Sequence, residues 1–176
     1  KILNVERARL DKMLASKEAL NQKINDYEIE KQIFNLREDL GEIKGHIEKA
    51  DHNMKFVENT SKIDFSDWVL VGCYYTLYHA ALALLLKKGL FSKNHDATLC
   101  LLIKHYYKEI SLEELEFINF TFLNNEDFLF YAESKNKREN ASYSTKIKFD
   151  KVDTTKAIIN TRLLLNKIKE IIHSDQ

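Results

Sequence analysis

Proline is absent from the 176 residues, and glycine occurs only four times. Tight turns and hairpins draw heavily on those two residues, so a turn-rich β-sandwich or barrel is excluded. Cysteine is limited to Cys73 and Cys100, each inside an apolar run, and no CxxC spacing occurs. That rules out a disulfide framework and a thiolate zinc set, and leaves two reduced core thiols in a reducing compartment as the expectation. The net charge is zero, from 27 basic and 27 acidic side chains. No global field therefore draws in a polyanion, and a phosphate site would have to be a local patch. Phosphate-loop, glycine-rich dinucleotide, zincin and nucleophile-elbow motifs are all missing, which removes the activities that depend on them. No secretory leader is expected at the start. The longest apolar stretch, Trp68 to Leu86, is interrupted by Gly72, His79 and five Trp, Tyr or Thr positions. A membrane span needs about 20 more uniformly apolar residues. A buried helix, no membrane partner and a cytoplasmic location are expected instead.

What the chain does have is helical pattern. Charged residues make up 31% and apolar residues 44%, the balance of a globular domain. Leu36, Leu40, Ile43 and Ile47 step by four, three and four, the spacing of one helix face. Leu10, Leu14, Leu20, Ile24 and Tyr27 repeat it less cleanly, with a break expected at Asn25-Asp26. Residues 1–35 read as a helical extension packed on the main domain or on a partner, and 36–176 as the bundle itself. Trp68 to Leu86 is apolar nearly all round, which predicts a central helix. Asp64 is its expected cap and Gly89 its stop. A loop from Leu90 to Asn94 should lead to a helix over 95–108. Ser111 and Glu114 form a capping box for a helix ending near Phe122. Helix should resume over 126–140, a loop should span 142–150, and Asp153 should cap a last helix with Ile158, Leu165 and Ile168 on one stripe. The fold class is all-α: an up-down antiparallel bundle of four to five helices with an extra N-terminal helix.

Two constellations carry chemistry. The first is Tyr74-Tyr75-Thr76-Leu77-Tyr78-His79-Ala80-Ala81. Tyr75 and His79 are helical neighbours four apart, and their polar tips each want a partner in a dry core. No metal-spaced ligand accompanies His79, so a satisfied packing histidine fits as well. His95 and His105 read as ordinary surface or cap residues. The second is Lys137-Arg138-Glu139-Asn140-Ala141-Ser142-Tyr143. Between Glu109 and Glu133 lie seven acids and no base, whereas Ser134 to Lys148 carries five bases against Glu139 alone. Such neighbouring runs can be two solvated, mutually attracting faces. The basic one can also hold phosphate.

The Tyr-Tyr-x-x-Tyr-His-Ala-Ala helix, the Gly89-Leu90 step, Lys93-Asn94-His95-Asp96 and the later Arg138-x4-Tyr143 together resemble the HEPN superfamily, in its small stand-alone prokaryotic branch, over about residues 36–174. The resemblance implies a helical bundle that forms a homodimer with both arginine motifs near one cleft. It implies RNA or a nucleotide as ligand, or a nucleotidyltransferase as partner, and no metal or other cofactor. In the ribonuclease members the motif is Arg-x4–6-His, the Arg holding the scissile phosphate and the His serving as acid and base on the 2′-hydroxyl. A toxin or defence endoribonuclease is the activity implied. Carried onto this sequence, Arg138 takes the phosphate, Tyr143 stands at the His position, and Lys135, Lys137 and Asn140 support phosphate binding. Tyr143 departs from the pattern, because a phenol of pKa about 10 is a poor base at neutral pH. Five residues at about 100° each would also place Arg138 and Tyr143 about 140° apart on an unbroken helix. They converge only across a helix end or a dimer interface.

Overall fold

The computed structural model describes residues 2–63, 65–123 and 151–174. Seven helices and two short strands occur among them, in the order α1 (Ile2–Ala15), α2 (Lys17–Ile29), β1 (Ile33–Asn35), α3 (Leu40–Thr60), α4 (Ser66–Leu86), β2 (Leu90–Ser92), α5 (His95–Tyr106), α6 (Leu112–Leu123) and α7 (Lys151–Ser174). The all-α expectation holds apart from the two strands.

Local chemistry sets the boundaries. The N-terminal region is two helices, not one, and it breaks at Ser16, whose hydroxyl accepts from the Ala19 amide at 3.1 Å. Asn25-Asp26, where a break was expected, lies inside α2. Lys31, with φ of 56°, turns the chain out of that helix. Asp39 caps α3 by accepting from the amides of Gly41 and Glu42, and Asn94 caps α5 through those of Asp96 and Ala97. The Ser111–Glu114 box is formed in both directions, at 2.7 and 3.3 Å. Two expected caps fall elsewhere. Phe65 occupies the N-cap of α4 and makes no side-chain cap bond, and Asp64 lies outside the described residues. Helix α7 starts at Lys151, so Asp153 is inside it.

Leu90 to Ser92, expected as loop, pairs antiparallel with β1, Phe34 opposite Phe91. Gly89 makes this possible. Its φ is +66°, and a Cβ there would sit 2.5 Å from the Leu36 carbonyl oxygen. In return the Gly89 carbonyl accepts from the Leu36 amide at 2.6 Å.

Helices α3 and α4 form an antiparallel hairpin, and α7 lies across both. Arg162 of α7 meets Glu58 of α3 at 3.1 Å, and Lys169 pairs with Asp51 two helical turns further along. Helix α4 is the one helix among the described residues long and apolar enough to cross a membrane, and 83% of that stretch is buried within the fold. It is the centre of the bundle, as its all-round apolar surface requires. On its other side, Tyr106 of α5 donates to the Leu84 carbonyl at 2.7 Å. Helices α1 and α2 cover α5 and α6. Leu10, Met13, Leu20 and Ile24 enter the same core, and the sulfur atoms of Met13 and Cys100 lie 3.5 Å apart. Tyr27 and Lys23 both reach Asp96 at the start of α5.

Of the aromatic residues of α6, Phe122 is buried, and Phe117 and Phe120 pack partly on the core. Phe128, Phe130 and Tyr131 lie outside the described residues.

Candidate functional site

Lys135, Lys137, Arg138, Asn140 and Tyr143 all lie outside the described residues, in the stretch between Leu123 and Lys151. The helices on either side of that stretch, α6 and α7, both pack against α4. At one end, Phe122 of α6 meets Tyr74 and Tyr78 edge-on, with ring centroids 6.0 and 5.9 Å away. On the other side, Leu164 and Leu165 of α7 enter the core that surrounds α4.

The aromatic run of α4 lies against the end of α6. Its residues divide by helical phase. Tyr74 points inward and is buried, while Tyr75, one step around, is 38% exposed. The Tyr74 hydroxyl lies 3.0 Å from Nδ1 of His95, whose ring stands edge-on to both Tyr74 and Tyr78. His95 thus belongs to the ring cluster, correcting its reading as a surface or cap residue; the cap itself is Asn94. The Tyr78 hydroxyl is directed at the Ser92 carbonyl, 3.4 Å away, and burial raises its pKa.

His79 does have a polar partner, but not Tyr75. Its Nδ1 lies 2.9 Å from Nδ1 of His46 on α3. One imidazole donates and the other accepts, so the pair is satisfied when at least one ring is neutral. Burial lowers the pKa of His79 to about 4, helped by the nearby charges of His46 and Lys49. Burial lowers His46 as well, with Glu42 opposing the shift. Both shifts favour the neutral ring. The signal for His46 was a histidine on the inner flank of an amphipathic helix. Its partner stands 33 residues away, which no local periodicity reveals.

As chemistry, the described residues offer neutral imidazoles, phenols and flat rings. No group of three or more His, Cys, Asp or Glu among them gathers closely enough to hold a metal ion. Both cysteines are buried and form no disulfide, and burial pushes the Cys73 thiol up to about 11. Neither is placed to act as a nucleophile.

Comparison with known proteins gives two matches. The HEPN domain family model matches residues 43–171. A protein of Methanocaldococcus jannaschii whose name describes it as a "putative toxin" is 28% identical over 135 residues, covering 76% of this chain and 83% of that protein. The family match begins in the first turn of α3 and ends in the last turn of α7. It takes in the Tyr74–Ala81 helix and the Arg138–Tyr143 segment and leaves α1, α2 and β1 outside. With most of its length matched in this way, the chain belongs to the HEPN domain family.

Proposed function

We propose that this protein is an RNA-directed HEPN protein of toxin type, acting as a homodimer, with Arg138 as its phosphate-binding residue. The observation that carries the reading is Arg138-x4-Tyr143 in a chain of this family, set in a basic run that follows an acidic one. The name of the archaeal relative supports the toxin class. A guanidinium suits a phosphodiester because its fork of donors meets two phosphate oxygens at once. Lys135, Lys137 and Asn140 extend the cationic and amide contacts around it. Tyr143 donates a hydrogen bond to phosphate or stacks on a base in this scheme. Cleavage in this scheme is metal-independent: the 2′-hydroxyl gives up its proton and attacks the adjacent phosphorus, the bond from phosphorus to the 5′-oxygen breaks, that oxygen takes up a proton, and a 2′,3′-cyclic phosphate remains, with Tyr143 at the position of the family's histidine.

One residue favours a second reading. A phenol with pKa about 10 is seldom ionised at neutral pH, so Tyr143 suits a non-catalytic module that binds nucleotide or docks on a nucleotidyltransferase. A single assay separates the two. RNA is incubated with the full chain in the presence of a chelator, alongside Arg138→Ala and Tyr143→Phe. Cleavage by the wild type that both variants lose establishes the ribonuclease. Binding without cleavage, weakened by Arg138→Ala, establishes the binding module. Wild-type-like RNA binding by Arg138→Ala across a salt titration overturns both roles for this residue.

A further inference from the structure

Between Trp68 and Leu86, solvent reaches four side chains of α4, and all four are rings: Trp68, Tyr75, Tyr78 and His79. At 3.6 residues per turn they occupy about 100° of one flank. From Tyr78 the rings continue across neighbouring elements. Centroids lie 6.2 Å apart for Tyr78 and His79, and 5.2 Å for His79 and His46. The track then steps 6.3 Å to Phe91 on β2 and 6.4 Å to Phe34 on β1. Each of these rings stays partly open to water. Folding normally buries rings, so a stripe left half-open over four elements is unusual for a structural core.

Several hydrogen-bond donors border it. The Lys93 ammonium sits 4.7 Å over the Phe34 ring, and Lys49 is close enough to His79 to disfavour its protonation. Asn53 is two helical turns from His46 on the same flank of α3, and its buried side-chain nitrogen has no hydrogen-bond partner. Flat apolar faces, two ammonium groups and an amide donor in want of an acceptor match bases, phosphates and a base edge. Glu42 stands beside His46, so charge alone would not hold a polyanion here, and ring contact has to supply most of the affinity.

We infer that the ring track from Tyr78 to Phe34, together with Tyr75 exposed on the same flank of α4, binds single-stranded RNA, with bases stacked on the rings and phosphates met by Lys49 and Lys93. This rests on the RNA reading above and adds a contact surface built from residues other than Arg138 and Tyr143. Stacking tolerates any base, and it excludes a duplex, whose bases already stack on each other. The track therefore selects strandedness, not sequence.

The test is anisotropy of a labelled single-stranded oligoadenylate and of a duplex of equal length, titrated with the full chain over a range of salt. The wild type should prefer the single strand. Tyr75→Ala should weaken that binding about tenfold with little change in salt slope, and Tyr75→Phe should bind like the wild type. Lys49→Ala should reduce the slope by about one phosphate contact. Tyr75 is exposed, so thermal melts should be alike for all these variants. Binding that Arg138→Ala weakens and Tyr75→Ala does not would overturn the track and leave the RNA reading standing. A wild type that binds no RNA would overturn both. A Tyr75→Ala that separates a dimer into monomers with unaltered RNA affinity would make the track an interface between copies, and the inference fails.

Discussion

Gly72 leaves α4 no room for a side chain where it meets α3. A Cβ there would lie 2.6 Å from the buried Val57 side chain and 3.0 Å from Phe56. Phe56 is exposed and can swing aside, but Val57 is fully buried and cannot. Gly72→Ala should therefore lower stability by about 1–3 kcal/mol of overpacking, less the ~1 kcal/mol that alanine's helix propensity returns; urea midpoints would read the difference. His79 makes a pH-dependent contribution of definite sign. Its imidazole protonates near 6.5 when unfolded and only at about 4 when folded. The unfolded chain thus binds the extra proton between those values, so this contribution is complete above about 6.5, declines as the pH falls, and is gone by about 4. His79→Asn should flatten that part of the stability profile relative to the wild type, measured by denaturant melts from pH 7 to 4.5. Cys73 and Cys100 are buried, and the Cys73 thiol is held far above its usual range. A thiol reagent should label neither in the native protein, and both once it unfolds.

At the scale of elements, legibility in the sequence followed the range of the interaction. Helix α4 was legible because an apolar surface on every side has one home, the middle of a bundle. The Ser111–Glu114 box was legible because its partners stand three residues apart. The strands were not. Each has three residues, and Phe34 faces Phe91 across nearly the whole α3–α4 hairpin, so no local alternation marks them. The His46–His79 pair was hidden for the same reason. The arginine motif was legible only through its family likeness, since its residues carry no periodic pattern of their own. Helices α1 and α2 give a further test at this scale. They lie outside the family match yet place Leu10, Met13, Leu20 and Ile24 in the common core. Each such side chain contributes about 1.5–3 kcal/mol before the entropy of ordering the helices is counted. Deleting residues 1–31 should leave a single cooperative unfolding transition from the α3–α4–α7 assembly, at a clearly lower urea midpoint than the full chain. A chain that loses all cooperative unfolding would show that the bundle cannot close without them.

For the whole molecule, the proposed dimer makes the most direct demand: light scattering at micromolar concentration should give twice the chain mass of 20.7 kDa. A monomer would remove the shared cleft in which two arginine motifs approach each other. The arrangement of the first two helices has a consequence for how the protein is made. Their contacts reach far along the chain: Tyr27 meets Asp96 across 69 residues, and Met13 meets Cys100 across 87. A ribosome delivers α1 and α2 before the helices they cover, and that surface is not complete until α6 has emerged. These two helices are thus obliged to wait, with their apolar stripe open, while α3 and α4 close beside them as a local hairpin. Isolated helices of this length are marginal in water, so α1 and α2 should gain amide protection last during refolding, although they precede α3 to α6 in the chain.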